Sequence, residues 1–95
     1  MESYLIMNDI YDAFLAQSDW SNSHIIQISP DASNRKYFRL TSSAGSAILV
    51  DAKLESAKSF DAFQDVARYL NAISLSAPEI YASDRTHRLM LLQDL

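Results

Sequence analysis

The stretch from Pro30 to Ala52 reads PDASNRKYFRLTSSAGSAILVDA, and it predicts a β-hairpin. Its first arm, Lys36 to Leu40, is aromatic, and its second arm, Ala47 to Val50, is a short apolar run of the kind that is buried on both faces of a sheet. The residues between the arms, Thr41 to Ser46, are small or polar and include the only glycine of the chain. We therefore expect two strands that are joined by a turn.

A small polar loop, Asp31 to Asn34, leads into this hairpin and is followed at once by Arg35 and Lys36. Small side chains leave backbone N–H groups accessible, and an arginine adds a charged fork that matches phosphate oxygens. The loop therefore suits a phosphate-bearing ligand. The residues alone are equally compatible with an ordinary β-turn that is flanked by exposed cations.

The composition indicates one small folded domain. Of the 95 residues, 48% are hydrophobic and 11% are aromatic, which argues for a packed core rather than a disordered segment. Twelve acidic residues against eight basic ones give a net charge of −4, which argues against a general surface for nucleic acids or anionic membranes. The chain has no cysteine, no apolar run long enough to span a membrane and no signal peptide, so we expect a cytoplasmic protein.

One helix is predicted before the hairpin and one after it. Apolar residues at helical spacing predict the first helix over residues 4–17, and Trp20 is expected to cover its end as part of the core. Ser59 is the expected cap of the second helix. Six apolar residues share one face of that second helix: Phe60, Phe63, Val66, Ala67, Leu70 and Ile73.

Further strands are predicted over His24–Ser29, Ile80–Ala82 and Leu89–Leu92. The predicted order is therefore α-β-β-β-α-β-β. This order indicates an α+β fold, a five-stranded antiparallel sheet with two helices on one of its faces.

Four segments, in this order, resemble motifs of the aminoglycoside phosphotransferase family, in the bacterial branch that includes cell-wall sugar kinases acting on N-acetylmuramate and N-acetylglucosamine. Residues 31–40, DASNRKYFRL, are similar to the branch signature DASxRxYxR. Residues 49–52, LVDA, look like the third-strand ending hMDA, and residues 77–80, APEI, resemble the segment vPevla. Residues 91–95, LLQDL, are similar to LLLEDLG, which leads into the kinase hinge. The resemblance covers residues 30–95.

The resemblance implies that residues 1–95 form the N-terminal, nucleotide-binding lobe of a protein-kinase-like phosphotransferase and end at the hinge. The family uses ATP and Mg²⁺, and its catalytic and magnesium-binding aspartates belong to a C-terminal lobe that we expect to be absent from this chain. We therefore expect no catalytic residue and no metal ligand here. The acceptor, a small-molecule hydroxyl and by resemblance that of a cell-wall amino sugar, would bind through the C-terminal lobe.

The family's contacts to the phosphates and to the hinge can be carried onto five residues. Ser33, Asn34 and Arg35 are expected to contact the β- and γ-phosphates, because they occupy the place of a glycine-rich phosphate loop. The carbonyl of Gln93 and the amide of Leu95 are expected to face the edge of the adenine.

The family's adenine pocket is expected above the hairpin. Alternate residues of a strand share a face, and the resemblance places Tyr37 and Leu49 over the adenine while Phe38 and Val50 pack toward the helices. The alternative interpretation is that all four side chains belong to the core.

Asp51 departs from the pattern of ordinary kinases, because it falls where they carry the third-strand lysine that pairs with phosphates. A carboxylate would repel phosphates there, and Lys53 is the nearest substitute. The glutamate that partners this lysine is also missing from the second helix, where the nearest polar residues are Asp61, Gln64 and Asp65. This departure motivates an alternative function, a non-catalytic, pseudokinase-like binding or regulatory module.

Other functions find less support in the residues. A nucleic-acid-binding hairpin would rest on Arg35, Lys36 and Arg39 alone, in an acidic chain, so we expect neither a nucleic acid nor a membrane as a partner. His24 and His87 have no partner at metal-ligand spacing, so no metal site is expected. An isolated lobe would expose the apolar face that meets its partner lobe, which favours self-association.

Overall fold

The predicted hairpin forms the middle of the sheet. In the computed structural model, which describes residues 9–29, 35–73 and 77–94, strand β2 (Lys36–Ser42) pairs antiparallel with strand β3 (Gly45–Asp51). Only two residues separate the strands, so the turn is shorter than the six residues predicted. Gly45 has a φ of +118°, a conformation that L-amino acids with side chains rarely adopt, and this explains a glycine directly after the turn.

Three more strands complete the sheet: β1 (His24–Gln27), β4 (Ile80–Asp84) and β5 (Leu89–Gln93). All neighbouring strands are antiparallel, and their order across the sheet is β1-β2-β3-β5-β4. Strand β5 therefore lies between β3 and β4. The five antiparallel strands and the two helices of the described residues confirm the predicted α+β fold and its element order.

The first helix of the described residues, α1, spans Asp9–Leu15. It ends at Leu15 because both the backbone N–H and the hydroxyl of Ser18 donate to the Leu15 carbonyl, at 2.9 and 2.8 Å. The predicted helix, residues 4–17, therefore ends two residues later than the observed one. Its predicted start, residues 4–8, lies outside the described residues.

The second helix, α2, spans Ala57–Ala72. Its N-cap is Ser56, which has an extended backbone and whose hydroxyl accepts the N–H of Ser59 at 3.1 Å. The prediction of Ser59 as the cap is therefore wrong by three residues. Ser59 is the residue whose N–H is capped.

The core has two halves, one on each face of the sheet. On one face, α1 packs over a cluster that contains Tyr11, Leu15, Trp20, Ile25, Phe38, Leu40, Ala47, Leu49, Leu89 and Leu91. On the other face, α2 packs over a cluster that contains Val50, Ala52, Phe60, Met90 and Leu92. Trp20 is 8% exposed, which confirms its predicted place in the core. The expectation that both helices cover the same face is wrong, because each helix buries its apolar side against a different face.

Helix α2 buries a narrower stripe than its sequence predicts. Phe60 and Ala67 are buried, but Val66 is 57% and Ile73 47% exposed. Tyr69 lies one turn from both of them and is exposed as well. Among the described residues, none of the helices has the length and apolar character that crossing a membrane requires.

Candidate functional site

The register of the hairpin decides which side chains share a face. Tyr37 lies opposite Val50, and Phe38 lies opposite Leu49. Residues that are directly opposite in an antiparallel pair project from the same face of a sheet. The expectation that Tyr37 and Leu49 share a face is therefore wrong. Leu49 is fully buried beneath α1, and its neighbour Ile48 lies on the face of Tyr37 instead.

The face that carries Tyr37 is apolar at its centre. Val50, Met90 and Leu92 are buried there, and α2 covers part of the face with Phe60. Tyr37 and Ile48 are only half-buried, although both pack against this cluster. The face therefore offers a partly accessible apolar surface at Tyr37 and Ile48, beside the cluster that α2 covers.

A fixed arginine stands at the edge of this surface. The guanidinium of Arg35 donates to both carboxylate oxygens of Glu55, from Nε and from Nη2, each at 2.9 Å. Its Cζ lies 4.4 Å from the centre of the Phe63 ring, and its Nη1 donates to the Tyr37 hydroxyl at 3.4 Å. The hydrogen bond to Glu55 is the main reason why the pKa of Arg35 is raised above its usual value, so this half-buried side chain is a permanent cation.

A second arginine ties the hairpin to the end of β5. Arg39 donates to Asp94 from Nε at 2.9 Å, and the Ser46 hydroxyl donates to the same carboxylate oxygen at 2.8 Å. The hydrogen bond from Ser46, and then that from Arg39, lower the pKa of Asp94. Asp94 thus holds the segment after β5 against both arms of the hairpin.

Gln93 lies just before this tie, at the end of β5. Its backbone N–H donates to the Glu79 carbonyl at 2.8 Å, and its side-chain oxygen accepts the Glu79 N–H at 3.2 Å. These bonds fix the strand end against the residue that precedes β4. The predicted contact of the Gln93 carbonyl with adenine stays a prediction.

Asp51 takes no part in the face that carries Arg35 and Tyr37. It is 3% exposed and points to α1, where it accepts a hydrogen bond from the Tyr11 hydroxyl, and it also accepts the Lys53 N–H at 3.0 Å. Burial, the hydrogen bond and the charge of Asp51 raise the pKa of Tyr11 above its ordinary value of 10.0. The interpretation of Asp51 as a carboxylate facing the phosphates is therefore wrong, because its side chain leaves the strand on the opposite face.

Three predicted site residues, Ser33, Asn34 and Leu95, lie outside the described residues. Of the others, the structure brings Arg35 and Tyr37 together and separates Leu49 from them. The sequence analysis missed Glu55 and Asp94 as arginine partners. No local signal marks these pairs, because Glu55 is 20 residues from Arg35 and Asp94 is 55 residues from Arg39.

Ile48 and Phe63 were also missed as members of this face. Ile48 could have been found by testing both possible phases of the hairpin. Phe63 was placed correctly on the apolar side of its helix, but only the packing of α2 shows that its ring lies under the Arg35 guanidinium.

Two further features lie away from this face. A groove of about 960 Å³ opens on the opposite face, between α1 and β4, and its lining includes Phe14, Trp20 and Tyr81. Within residues 9–29, 35–73 and 77–94, no group of three or more histidine, aspartate or glutamate side chains could hold a metal ion. The described residues thus provide a cation and an apolar surface but do not form a metal centre.

Comparison with known proteins identifies the family of this fold. The model of the phosphotransferase enzyme family (APH) matches residues 24–94, a span that runs from the first residue of β1 to Asp94. Searches of the curated proteins and of the solved structures gave no match. Since the family model covers all five strands and α2, the chain belongs to the phosphotransferase enzyme family.

Proposed function

We propose that this fold is the nucleotide-binding lobe of a phosphotransferase that moves a phosphoryl group from ATP to a hydroxyl of a small molecule. The observation that carries the proposal is Arg35, a fixed cation beside a partly accessible apolar surface, in a chain of this family. Phosphoryl transfer depends on positioning and on neutralising phosphate charge, and an arginine fork suits phosphate oxygens.

In this proposal, the residues of this face bind the nucleotide. Tyr37 and Ile48 would contact the adenine from the half-buried surface, which replaces the predicted pair of Tyr37 and Leu49. Arg35 would contact the phosphates together with Ser33 and Asn34 of the preceding loop. The bound ATP supplies the phosphoryl group, and the part of this lobe is to hold the base and neutralise the phosphates.

The backbone of Gln93 and Leu95 is our proposal for the edge of the adenine site. Asp94 lies between these two residues and is fixed by Arg39 and Ser46. A backbone that is held in place can offer its donors and acceptors to a base at little entropic cost.

Magnesium ligands and acceptor-binding residues belong, in this proposal, to a C-terminal lobe that closes over the same face. An amino sugar of the cell wall is the proposed acceptor, on the strength of the DASxRxYxR-like segment at residues 31–39. We propose a cytoplasmic site of action, where ATP is available.

The structure weakens the observations that motivated two other functions. A pseudokinase-like module was motivated by Asp51 in the place of the phosphate-binding lysine; its carboxylate faces Tyr11 on the opposite side of the sheet, so it does not repel phosphates, but the lysine itself is still missing. A nucleic-acid surface rested on Arg35, Lys36 and Arg39, but Arg35 and Arg39 are each paired with a carboxylate, which lowers the net positive charge of the patch.

The proposal is tested on the full-length protein by calorimetric titration with Mg-ATP, followed by phosphoryl-transfer assays on a panel of amino sugars. Arg35→Gln should weaken ATP binding about tenfold or more, because hydrogen bonds to charged groups contribute roughly 1.5–3 kcal/mol. The matched control is Arg85→Gln, which removes an exposed arginine–aspartate pair with Asp61. No detectable ATP binding by the wild-type protein, or equal losses in both variants, would contradict the proposal.

A further inference from the structure

Glu55 lies between β3 and α2, and it has no role in the proposed function. Its carboxylate is 17% exposed and receives two parallel hydrogen bonds from Arg35, whose side chain is 25% exposed. The Phe63 ring lies against the guanidinium, and Tyr37 receives a third hydrogen bond from it. Within residues 35–73, Glu55, Phe63 and Tyr37 therefore all contact this one cation.

We propose that Glu55 is a positioning residue that fixes Arg35 for the phosphates of the nucleotide. The inference rests on the proposed function, because it assumes that Arg35 meets those phosphates. Glu55 itself contacts no phosphate in this proposal, and it acts only through the arginine.

The physical reason is the flexibility of an arginine. A mobile arginine side chain has about 2 kcal/mol of rotamer entropy to lose when it is immobilised by a ligand. A bidentate carboxylate and a ring face remove that freedom in advance, so less is lost when an anion binds. Ordinary kinases fix a lysine with a glutamate for the same purpose, whereas here the cation is an arginine that precedes β2 and the glutamate precedes α2.

If Glu55 contributed only its negative charge, it would lower the affinity for ATP rather than raise it. A carboxylate beside a site for a triphosphate repels the ligand, so its removal should tighten binding if Glu55 does nothing more than contribute charge. Positioning predicts that the same removal weakens binding. The sign of the change in ATP affinity therefore separates the two roles.

The experiment compares Glu55→Gln with the wild-type full-length protein, using calorimetric titrations with adenosine, Mg-ADP and Mg-ATP. We expect ATP affinity to fall about tenfold, at the lower end of what substitutions of outer-shell residues cost at metal sites, while adenosine affinity changes by less than about twofold. The matched control is Asp61→Asn, which removes the carboxylate partner of Arg85 with the same change in net charge. We expect this control to bind all three ligands as the wild-type protein does.

Unchanged or tighter ATP binding by Glu55→Gln would overturn the positioning role, and so would an equal loss of adenosine affinity, which indicates general damage to the lobe. If Glu55→Gln does not fold, Glu55→Asp carries the test, because it keeps the charge but shortens the side chain. Severalfold weaker ATP binding by Glu55→Asp supports the inference, and wild-type affinity overturns it. Failure of the wild-type protein to bind either adenosine or ATP is a separate result, and it overturns the proposed function together with this inference.

Discussion

A phenol and a buried carboxylate join α1 to the central strand of the sheet. Asp51 is an expensive group to bury, and the Tyr11 hydroxyl is one of the two donors that the structure gives it, the other being the Lys53 N–H. The Tyr11 ring also contacts the Phe38 ring, with their centres 5.5 Å apart. Polar and apolar contacts of one side chain thus hold the helix to the sheet.

Tyr11→Phe should destabilise the protein by about 1–3 kcal/mol, because it removes a donor from a buried carboxylate while keeping the ring. The measurement is the free energy of unfolding in urea at neutral pH. The matched control is Tyr81→Phe. Because Tyr81 is exposed, this substitution should lower the free energy of unfolding by less than about 0.5 kcal/mol. Equal stabilities of Tyr11→Phe and the wild-type protein would show that this hydrogen bond contributes nothing.

The same pair gives an alkaline pH dependence. The pKa of Tyr11 is raised in the folded protein, so its contribution to stability is complete below pH 10.0, the ordinary value, and is lost as the pH rises toward the folded-state pKa. The difference in unfolding free energy between wild type and Tyr11→Phe should therefore shrink above about pH 10. A difference that stays constant up to pH 11 would contradict the raised pKa.

At the residue scale, the alternation within each strand was predicted correctly, but the phase of the two strands was not. The hairpin places odd-numbered residues of β2 and even-numbered residues of β3 on one face, because an even number of residues separates paired positions such as Leu40 and Ala47. The predicted turn, Thr41 to Ser46, also has an even number of residues and therefore implies the same phase. The grouping of Tyr37 with Leu49 is inconsistent with that turn, so the error lies in the assumed phase and not in the turn length or in the properties of Leu49 or Ile48.

The Arg35–Glu55 pair shows a second limit of sequence analysis. In ordinary kinases the glutamate partner lies within the second helix, and it was expected there in this chain as well. Glu55 precedes the helix cap Ser56, and only the folded chain brings it to the start of β2. Pairing at this separation is a property of the packing of α2 on the sheet.

Among the elements, α2 is easier to test by substitution than α1, because one residue, Ser56, caps its start and one aromatic residue, Phe60, is fully buried against the sheet. The apolar spacing predicted the existence of α2 and its buried Phe60 correctly, but the cap was misplaced because two serines, Ser56 and Ser59, lie close to the start of the helix. A serine caps a helix only where its backbone is extended, as that of Ser56 is.

Ser56→Ala should cost about 1 kcal/mol, because it leaves the Ser59 N–H without its side-chain acceptor. Ser59→Ala is the matched control and should change stability by less than about 0.5 kcal/mol, since it lies on the exposed surface of the first turn. Chemical unfolding of both variants is the measurement. The reverse order of the two effects would restore Ser59 as the cap.

Phe60→Ala should destabilise the fold by about 3–5 kcal/mol, because a fully buried aromatic side chain anchors α2 to the sheet. Val66→Ala, further along the same helix, should cost less than about 0.5 kcal/mol because Val66 is exposed. Thermal and urea unfolding distinguish the two variants. A loss of similar size in both would mean that the exposed side of α2 is covered by another part of the protein.

On the scale of the whole molecule, Asp94 connects distant parts of the chain. It joins the segment after β5 to Arg39 of β2 and to Ser46 of β3, so that both arms of the hairpin hold one end of the sheet together. These contacts are near the surface, where an ion pair contributes at most about 1 kcal/mol.

Asp94→Asn should reduce stability by less than about 1 kcal/mol at pH 7, and this difference from wild type should disappear in acid. The lowered pKa of Asp94 means that its contribution is complete above the ordinary value of 3.8 and is lost as the pH falls through the folded-state value. Unfolding curves between pH 2 and pH 7 provide the check. A difference that persists at pH 2 would show that the side-chain amide, not the charge, is at fault.

The fold class was predictable because the type of each helix and strand follows from its own sequence pattern. The family match agrees with that prediction. The placement of the two helices on opposite faces was not predictable in the same way. Each helix is amphipathic, but the sequence of α1 does not say whether it meets Leu49 or Val50, because both belong to one apolar run.

The position of β5 inside the sheet has a consequence for how the protein is made. Strand β3 gains its second neighbour only when β5, residues 89–93, has been synthesised. Until then, a nascent chain whose hairpin has left the ribosome has an unpaired edge on β3. Strand β4 also emerges before β5, the strand with which it pairs. Unpaired edges of this kind recruit other chains. Newly synthesised copies should therefore depend most on chaperones in the interval between emergence of β3 and emergence of β5, and a ribosome stalled in that interval would display a half-built sheet.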